Sequence, residues 1–245
     1  MKSRTKIYTL TPMNELISDA RILRGMERQL GLRQVRLNAG DKSVGWKVGF
    51  GTSASQERLQ IRAPLVGFLT EEILLPSGAN VSIEGWVKPA VECEIAVYMG
   101  ADLYEDINRA TTCAAIAALG PAFELADVRF PPDDVEMVLA DNIYNRHVIL
   151  GDADPSRAGC KLEGLEAQVY RNGAEVARTT DIQSLTGDVI DIVSHVAKVL
   201  SALGERLRAG EFIIAGTIIP HLWVEPQENV SYTLAPGDTI SVRFA

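Results

Sequence analysis

The chain has 245 residues, 47% of them apolar, and a formal charge of −8, enough to bury one sizeable core without disulfides or membrane support. Cys93, Cys113 and Cys160 are far apart and show no Cys-x-x-Cys spacing, which argues against a disulfide framework or a zinc knuckle and suits a reducing compartment. No stretch approaches the ~20 uninterrupted apolar residues of a membrane span, the N-terminus has no apolar core of signal-peptide length, and the acidic balance would repel nucleic acid and anionic lipid; the cytoplasm is the expected compartment.

In residues 14–33, Leu16, Ile17, Ala20, Ile22, Leu23, Met26 and Leu30 recur at three- and four-residue steps. This spacing predicts an amphipathic helix with Asn14 as N-cap and Gly31 near its C-terminal end. After Gly40 the pattern changes to short extended runs between turn signals: SVGWKVGF, PLVGFL, PAVECEIAVYMG and PAFELADVRF. Helical stretches over 106–119 and 188–207 interrupt these strands without alternating regularly with them. AQVYRNGAEVART predicts a hairpin, with Asn172-Gly173 supplying the positive φ angles of a tight turn, and APGDTISVRFA ends the chain in a turn and a strand. The pattern predicts an N-terminal helical segment, residues 1–40, followed by one α+β domain, residues 41–245.

Side chains on a strand alternate between faces. In PAVECEIAVY, Val91, Cys93, Ile95 and Val97 form an apolar face, leaving Glu92 and Glu94 beside Ala90, Ala96 and Tyr98 on the other. Two ionised carboxylates about 6–7 Å apart on one strand face repel unless they are solvated or bridged by a cation. All-oxygen ligands favour Mg²⁺, Mn²⁺ or Ca²⁺ over zinc. An isolated Glu-x-Glu also fits a half-exposed strand showing both acids to water. A third acid shifts the balance: in PAFELADV, Glu124 lies between Ala122 and Ala126 on the face opposite Phe123 and Leu125, where an unpaired charge is costly to bury. Asp127 either extends the acidic site or serves as a strand-end residue paired with Arg129. In VGWKVGF, Val44, Trp46, Val48 and Phe50 share a face, leaving Lys47 opposite, between Gly45 and Gly49. The two glycines clear space above it, so Lys47 either faces a ligand, binding a carboxylate or moving protons, or snorkels from an edge strand. His147, His195 and His221 share no metal-like spacing, and a packing or surface role suits His195. No nucleophile-elbow, dinucleotide or phosphate-loop motif is present.

The ordered combination of GWKVGFGTSASQERL, PLVGFL, VKPAVECEIAVYMGADL, PAFELADVRF and ADNIYNRHVILG, with a weaker echo in LRAGEFIIAG, resembles the fumarylacetoacetate hydrolase superfamily, and within it the branch of 2-hydroxypenta-2,4-dienoate hydratases and 4-oxalocrotonate decarboxylases. The resemblance implies a mixed, twisted β-roll with flanking helices over 41–245, usually assembled into homo-oligomers. It also implies Mg²⁺ or Mn²⁺ held by Glu92, Glu94 and Glu124, Lys47 in the active site with Asp127 and Asp141 as further catalytic candidates, and Asn142 and Thr217 at the substrate. The expected substrate is a small 2-oxo or 2-enol acid. Hydration of a 2-hydroxy-2,4-dienoate is the leading expectation, decarboxylation of a 4-oxalocrotonate-like 2-oxo-enedioate the alternative, then acylpyruvate C–C hydrolysis or a non-catalytic member that kept the fold. The chain departs from the family at Ile143-Tyr144-Asn145-Arg146, where small residues are usual, and at Ile219, where a hydroxyl residue is usual. Arg146 either binds a second substrate carboxylate or faces solvent.

Overall fold

The computed structural model describes residues 19–245; the proposed cap Asn14 and the first apolar positions, Leu16 and Ile17, lie outside them. Helix α1 runs Ala20–Asn38, capped by the Asp19 side chain, which accepts from the Arg21 N–H. It continues past Gly31, where termination was expected. Its buried residues are Gly25, Met26, Gln29 and Arg33, so a continuous inward stripe turns polar before the helix ends, and an apolar periodicity alone stops short of it. Gln29 bonds the carbonyls of Val66 (3.2 Å) and Leu139 (3.0 Å), tying α1 to the strands that follow. Asn38 and the first residue of the next strand, Ser43, flank the expected segment boundary.

The remaining elements are β1 (Ser43–Gly49), α2 (Ser53–Leu59), β2 (Leu65–Thr70), β3 (Leu74–Leu75), β4 (Ala79–Val81), β5 (Pro89–Met99), α3 (Arg109–Ala115), β6 (Ile116–Asp127), α4 (Val135–Ala140), β7 (Asn145–Leu150), β8 (Glu166–Arg171), β9 (Ala174–Thr179), α5 (Val189–Ala202), β10 (Phe212–Thr217), β11 (Leu222–Trp223), β12 (Asn229–Ala235) and β13 (Thr239–Phe244). They form an eight-stranded sheet ordered β2-β1-β10-β5-β6-β7-β3, with β11 also on β5, and a five-stranded sheet ordered β4-β13-β12-β8-β9. Pairing is antiparallel except β1 with β10, β3 with β7 and β4 with β13. The expected hairpin is β8–β9, with φ of 51° at Asn172 and 80° at Gly173.

Helix 106–119 is corrected: it ends at Ala115, and Ile116–Leu119 open β6, where Leu119 pairs with Val97 and Ala118 with Tyr98. A short apolar run fits helix or strand equally, and cross-strand pairing decides it. The predicted faces of β5 and β6 are those observed, whereas on β1 only Trp46 and Val48 join the core: a register shift between Ser43 and Gly45 leaves Val44 packed with Leu69 and Phe212, and Phe50, at a φ of 57°, lines the same cavity as Lys47. Val91, Cys93, Ile95, Val97, Phe123 and Leu125 pack with Tyr232, Ile240, Val242 and Phe244 of the second sheet in one core, joined by Val193, Val196 and Leu200 of α5. Each large side chain removed from water there contributes roughly 1.5–3 kcal/mol. The opposite face of β5 and β6 carries Glu92, Glu94 and Glu124, next to Ala96 and Ala122, which pack with Phe212 and Ile214 in a smaller apolar cluster.

Candidate active site

Glu92 of β5 stands directly across from Glu124 of β6, and Glu94 lies across from Ala122 on one side and Thr217 of β10 on the other. The pairing of β10 with β5 shifts register between Ile214 and Thr217, an irregularity of the kind that re-aims groups beside active sites. Here it brings the Gly216 N–H onto Glu94 Oε2 at 2.7 Å. One oxygen from each of Glu92, Glu94 and Glu124 lies within 4.8 Å of the others. Among the described residues, Glu94 Oε1 and Glu124 Oε2 are buried without a hydrogen-bond partner. Three carboxylates, two of them with an orphaned oxygen, and no nitrogen or sulfur in the cluster make a donor set suited to a hard divalent cation. Burial pushes all three above the usual carboxylate range. The charge of Lys47 opposes the rise at all three, and neighbouring glutamates push Glu94 and Glu124 further up.

Lys47 reaches this cluster from β1. It is 2% exposed, pairs with Glu124 Oε1 and donates to the Ile143 carbonyl at 3.2 Å. The space expected above it at Gly45 and Gly49 is filled. A Cβ on Gly45 would stand 2.0 Å from the Phe212 carbonyl oxygen, and one on Gly49 would stand 2.6 Å from Ile143 Cγ2. Those glycines admit neighbouring protein rather than ligand. What they admit beside Gly49 is a left-handed turn, with φ of 51°, 55° and 63° at Asn142, Ile143 and Tyr144, a conformation costing on the order of 1–3 kcal/mol per non-glycine residue.

A cavity of about 700 Å³ opens over the cluster. Lys47, Glu92, Glu124 and Thr217 line it, with walls from Phe50, Val128, Phe130, Ile143 and Tyr144 and with Arg58, Val87, Lys88, His221 and Trp223 also at its boundary. Thr217 donates its hydroxyl to the Ile219 carbonyl, and the Ile219 side chain itself packs in the core. Asp127, Asp141, Asn142 and Arg146 do not line the cavity. Asp127 is buried and accepts from the Val87 and Lys88 N–H groups (2.9 and 3.0 Å) and from Arg146 (2.9 Å). These three donors outweigh burial and hold its carboxyl below the usual range. Its partner is therefore Arg146, not Arg129, which pairs with Asp141. Asn142 bonds the backbone of Phe68 through both ends of its amide, at 2.9 Å each. Arg146 also lies over the Trp86 ring at 5.8 Å. His195 bonds the Pro64 carbonyl at 2.8 Å and faces a separate cavity of about 370 Å³ lined by α1 and α5.

Sequence reasoning missed Asn145, whose Nδ2 donates to Glu124 Oε1 at 3.0 Å, and the cavity residues Arg58, Lys88, His221 and Trp223. The ammonium of Lys88 sits 3.9 Å from the Trp223 ring centroid, and His221 meets Trp223 edge-on at 4.3 Å. β11 brings Trp223 beside Ala90 of β5, and no motif or period in the sequence signals that pairing.

Two curled mixed sheets with an all-carboxylate cluster and a buried lysine on the face away from the core define an enzyme fold with a metal-type centre. The chain belongs to the fumarylacetoacetate hydrolase family: residues 34–245 match the family's C-terminal model, Fumarylacetoacetate (FAA) hydrolase C-terminal. It is 28% identical over 219 residues to a 4-oxalocrotonate decarboxylase of Pseudomonas putida, covering 88% of this chain and 83% of that one. It is 25% identical over 241 residues to a 2-hydroxyhexa-2,4-dienoate hydratase of Comamonas testosteroni, covering 96% and 91%. A solved 4-oxalocrotonate decarboxylase from Pseudomonas putida G7, complexed with magnesium and adipate, superposes with a TM-score of 0.83 at 23% identity, over 98% of this chain and 92% of that one, which establishes the shared fold. No helix among the described residues is long and apolar enough to cross a membrane.

Proposed function

We propose that the protein is a divalent-metal-dependent lyase of 2-oxo acids, hydrating a 2-hydroxy-2,4-dienoate or its 2-oxo-4-enoate form. The observation that carries this reading is the group of three clustered carboxylates, two with orphaned buried oxygens, beside a buried lysine at the floor of a largely apolar cavity. Glu92, Glu94 and Glu124 would hold Mg²⁺ or Mn²⁺. When bound, the ion supplies Lewis acidity toward the substrate's carboxylate and 2-oxo oxygens and stabilises negative charge developing there.

The protein's own groups do the rest. Lys47 is the ammonium facing the cavity from beside the cluster, so it holds the proton that moves to and from the substrate carbon chain, or captures the carboxylate. Glu124 accepts from Lys47 and Asn145, which fixes the carboxylate's orientation. Phe50, Val128, Phe130 and Tyr144 give the hydrocarbon part of the substrate an apolar wall, and the Thr217 hydroxyl, committed to Ile219, leaves its oxygen as an acceptor at the cavity edge. His221 has no carboxylate partner among the described residues and meets Trp223 and Lys88 instead, so the activated-water pair that acylpyruvate hydrolysis requires is not assembled around it.

Decarboxylation of a 2-oxo-enedioate is the second reading. Arg58 and Lys88 line the cavity without a carboxylate partner among the described residues, as a substrate with a distal carboxylate would require. The same reading places the protein in the cytoplasm, in keeping with its three free cysteines, as a homo-oligomer. Incubation with Mg²⁺ or Mn²⁺ and a panel of 2-hydroxydienoates, 2-oxo-enedioates and acylpyruvates tests it: loss of dienol ultraviolet absorbance without CO₂ supports the hydratase, and stoichiometric CO₂ the decarboxylase. No turnover of any panel member with either metal overturns the lyase assignment.

A further inference from the structure

We propose that Asn142 is a positioning residue for Lys47, acting through the left-handed turn it anchors and the Ile143 carbonyl that the turn aims at the lysine ammonium. The inference rests on the assignment of Lys47 as the acid/base group. An ammonium has three N–H donors. Two of those of Lys47 have fixed acceptors, Glu124 and the Ile143 carbonyl, and with two directions set the third is set as well, into the cavity that Lys47 lines. Glu124 is also assigned to the metal, so the Ile143 carbonyl is the partner of Lys47 that has no other task.

That carbonyl owes its direction to an unusual backbone. Asn142, Ile143 and Tyr144 are all left-handed, and the Asn145 N–H closes the turn on the Asn142 carbonyl. Asparagine visits this region readily, whereas a β-branched residue there is an outlier. Ile143 is therefore held by what flanks it. On one side the buried Asn142 amide accepts from the Phe68 N–H and donates to the Phe68 carbonyl, pinning the turn to β2. On the other, the Tyr144 hydroxyl donates to the Phe130 carbonyl at 3.1 Å. The packing makes one unit of these parts. Gly67, paired with Lys47 across β1 and β2, is the spot over which both meet: a Cβ there would stand 2.8 Å from Lys47 Cγ and 2.9 Å from Asn142 Oδ1. Asn142 thus touches the lysine's support and not the cavity, which separates this role from substrate binding.

The test compares Asn142→Gly, Asn142→Ala and Lys47→Met with the wild type on whichever panel substrate turns over, together with calorimetric metal titration and the NMR signal of the Lys47 ammonium in metal-free protein. Glycine accepts the positive φ but deletes the clamp, so Asn142→Gly carries the test even where Asn142→Ala does not fold. The expected result for Asn142→Gly is a kcat lower by roughly 10–100-fold, with KM and metal Kd within about threefold of wild type. The buried, bonded Lys47 ammonium protons should be visible in the wild type and lost to water exchange in the variant. A raised KM with unchanged kcat would make Asn142 a substrate contact and overturn the proposal, as would wild-type kcat and an unchanged ammonium signal. Lys47→Met separates the two levels: full turnover without the ammonium removes the acid/base assignment itself, whereas lost turnover in Lys47→Met beside wild-type turnover in Asn142→Gly removes only the positioning role.

Discussion

Strand β6 carries two buried carboxylates three residues apart, Glu124 and Asp127, each 1% exposed, and their surroundings are opposite. Asp127 receives two backbone N–H groups and a guanidinium, and its acidity is strengthened. Glu124 faces two further glutamates, keeps one oxygen without a partner among the described residues, and is pushed toward its protonated form despite Lys47. Surface exposure is the same; depth and satisfaction are not, for Glu124 lies deeper and loses more hydration than Asp127. A buried acid whose donors are complete in the protein alone is part of the framework, and one left incomplete is waiting for a cation or substrate. Asp127 joins the entry of β5 to the end of β6 through Val87 and Lys88, so it shapes the cavity rim without facing the cavity.

The contrast predicts opposite signs for two neutralising substitutions. Glu94→Gln keeps an oxygen for the Gly216 N–H and removes one of three crowded charges. Metal affinity should fall by roughly 100-fold or more, beyond the 10–100-fold typical of residues that only support a ligand, while the metal-free protein melts at a higher temperature than wild type. Calorimetric titration and thermal unfolding with and without Mg²⁺ or Mn²⁺ check both halves; wild-type affinity in Glu94→Gln would break the comparison at its acidic end.

Asp127→Asn should do the reverse, leaving metal affinity near wild type and lowering stability by about 1–3 kcal/mol, the range for losing charge-assisted bonds to a buried group, or about 2–4 °C per kcal/mol in a chain of this size. The pH dependence follows from the lowered acidity constant. A carboxylate whose folded pKa lies below its unfolded value of about 3.9 contributes stability that is complete above that value and is lost as pH falls through the folded pKa. The melting difference between wild type and Asp127→Asn should therefore be full at neutral pH and shrink in acid below about pH 4. A difference that grew on acidification would contradict the placement of Asp127.

How much of this could be read from the sequence divides along the same line. Alternation on β1, β5 and β6 placed Lys47, Glu92, Glu94 and Glu124 on faces opposite the core because a period of two is a property of the strand itself. Partners are not. Arg129 is two residues from Asp127, yet Arg146 reaches it through the antiparallel pairing of β6 with β7, in which Ala126 lies across from Asn145. The glycines beside Lys47 suggest open space for a ligand, but the backbone of Phe212 and the side chain of Ile143 fill it. His221 and Trp223 reach the cavity at the short strand β11, whose two residues carry no detectable pattern, and Lys88 stands just before β5 against the Trp223 ring. Composition and period report on which face a residue takes; long-range register decides what it meets there.

The smallest effects concern the basic residues, where the structure moves the expected specificity contact. Arg58 and Lys88 line the cavity with no carboxylate partner among the described residues, so Arg58→Met and Lys88→Met should lower kcat/KM for 2-oxo-enedioates more than for monocarboxylic dienoates, by about tenfold at a partly solvated rim, below the 2–5 kcal/mol of a desolvated pair. Arg146 belongs to the other class. It is 35% exposed, paired with Asp127 and stacked over Trp86, outside the cavity. Arg146→Ala removes one of three donors from Asp127 and leaves both backbone N–H groups in place, so the stability cost should be about 1 kcal/mol or less, as for a partly exposed pair. Because the guanidinium does not face the substrate, kcat/KM should fall equally, and little, for mono- and dicarboxylic substrates. A selective loss on dicarboxylic substrates in Arg146→Ala, with Arg58→Met and Lys88→Met unaffected, would mean that Arg146 leaves Asp127 when substrate binds, and the division of these carboxylates into satisfied and waiting would then hold only for the free protein.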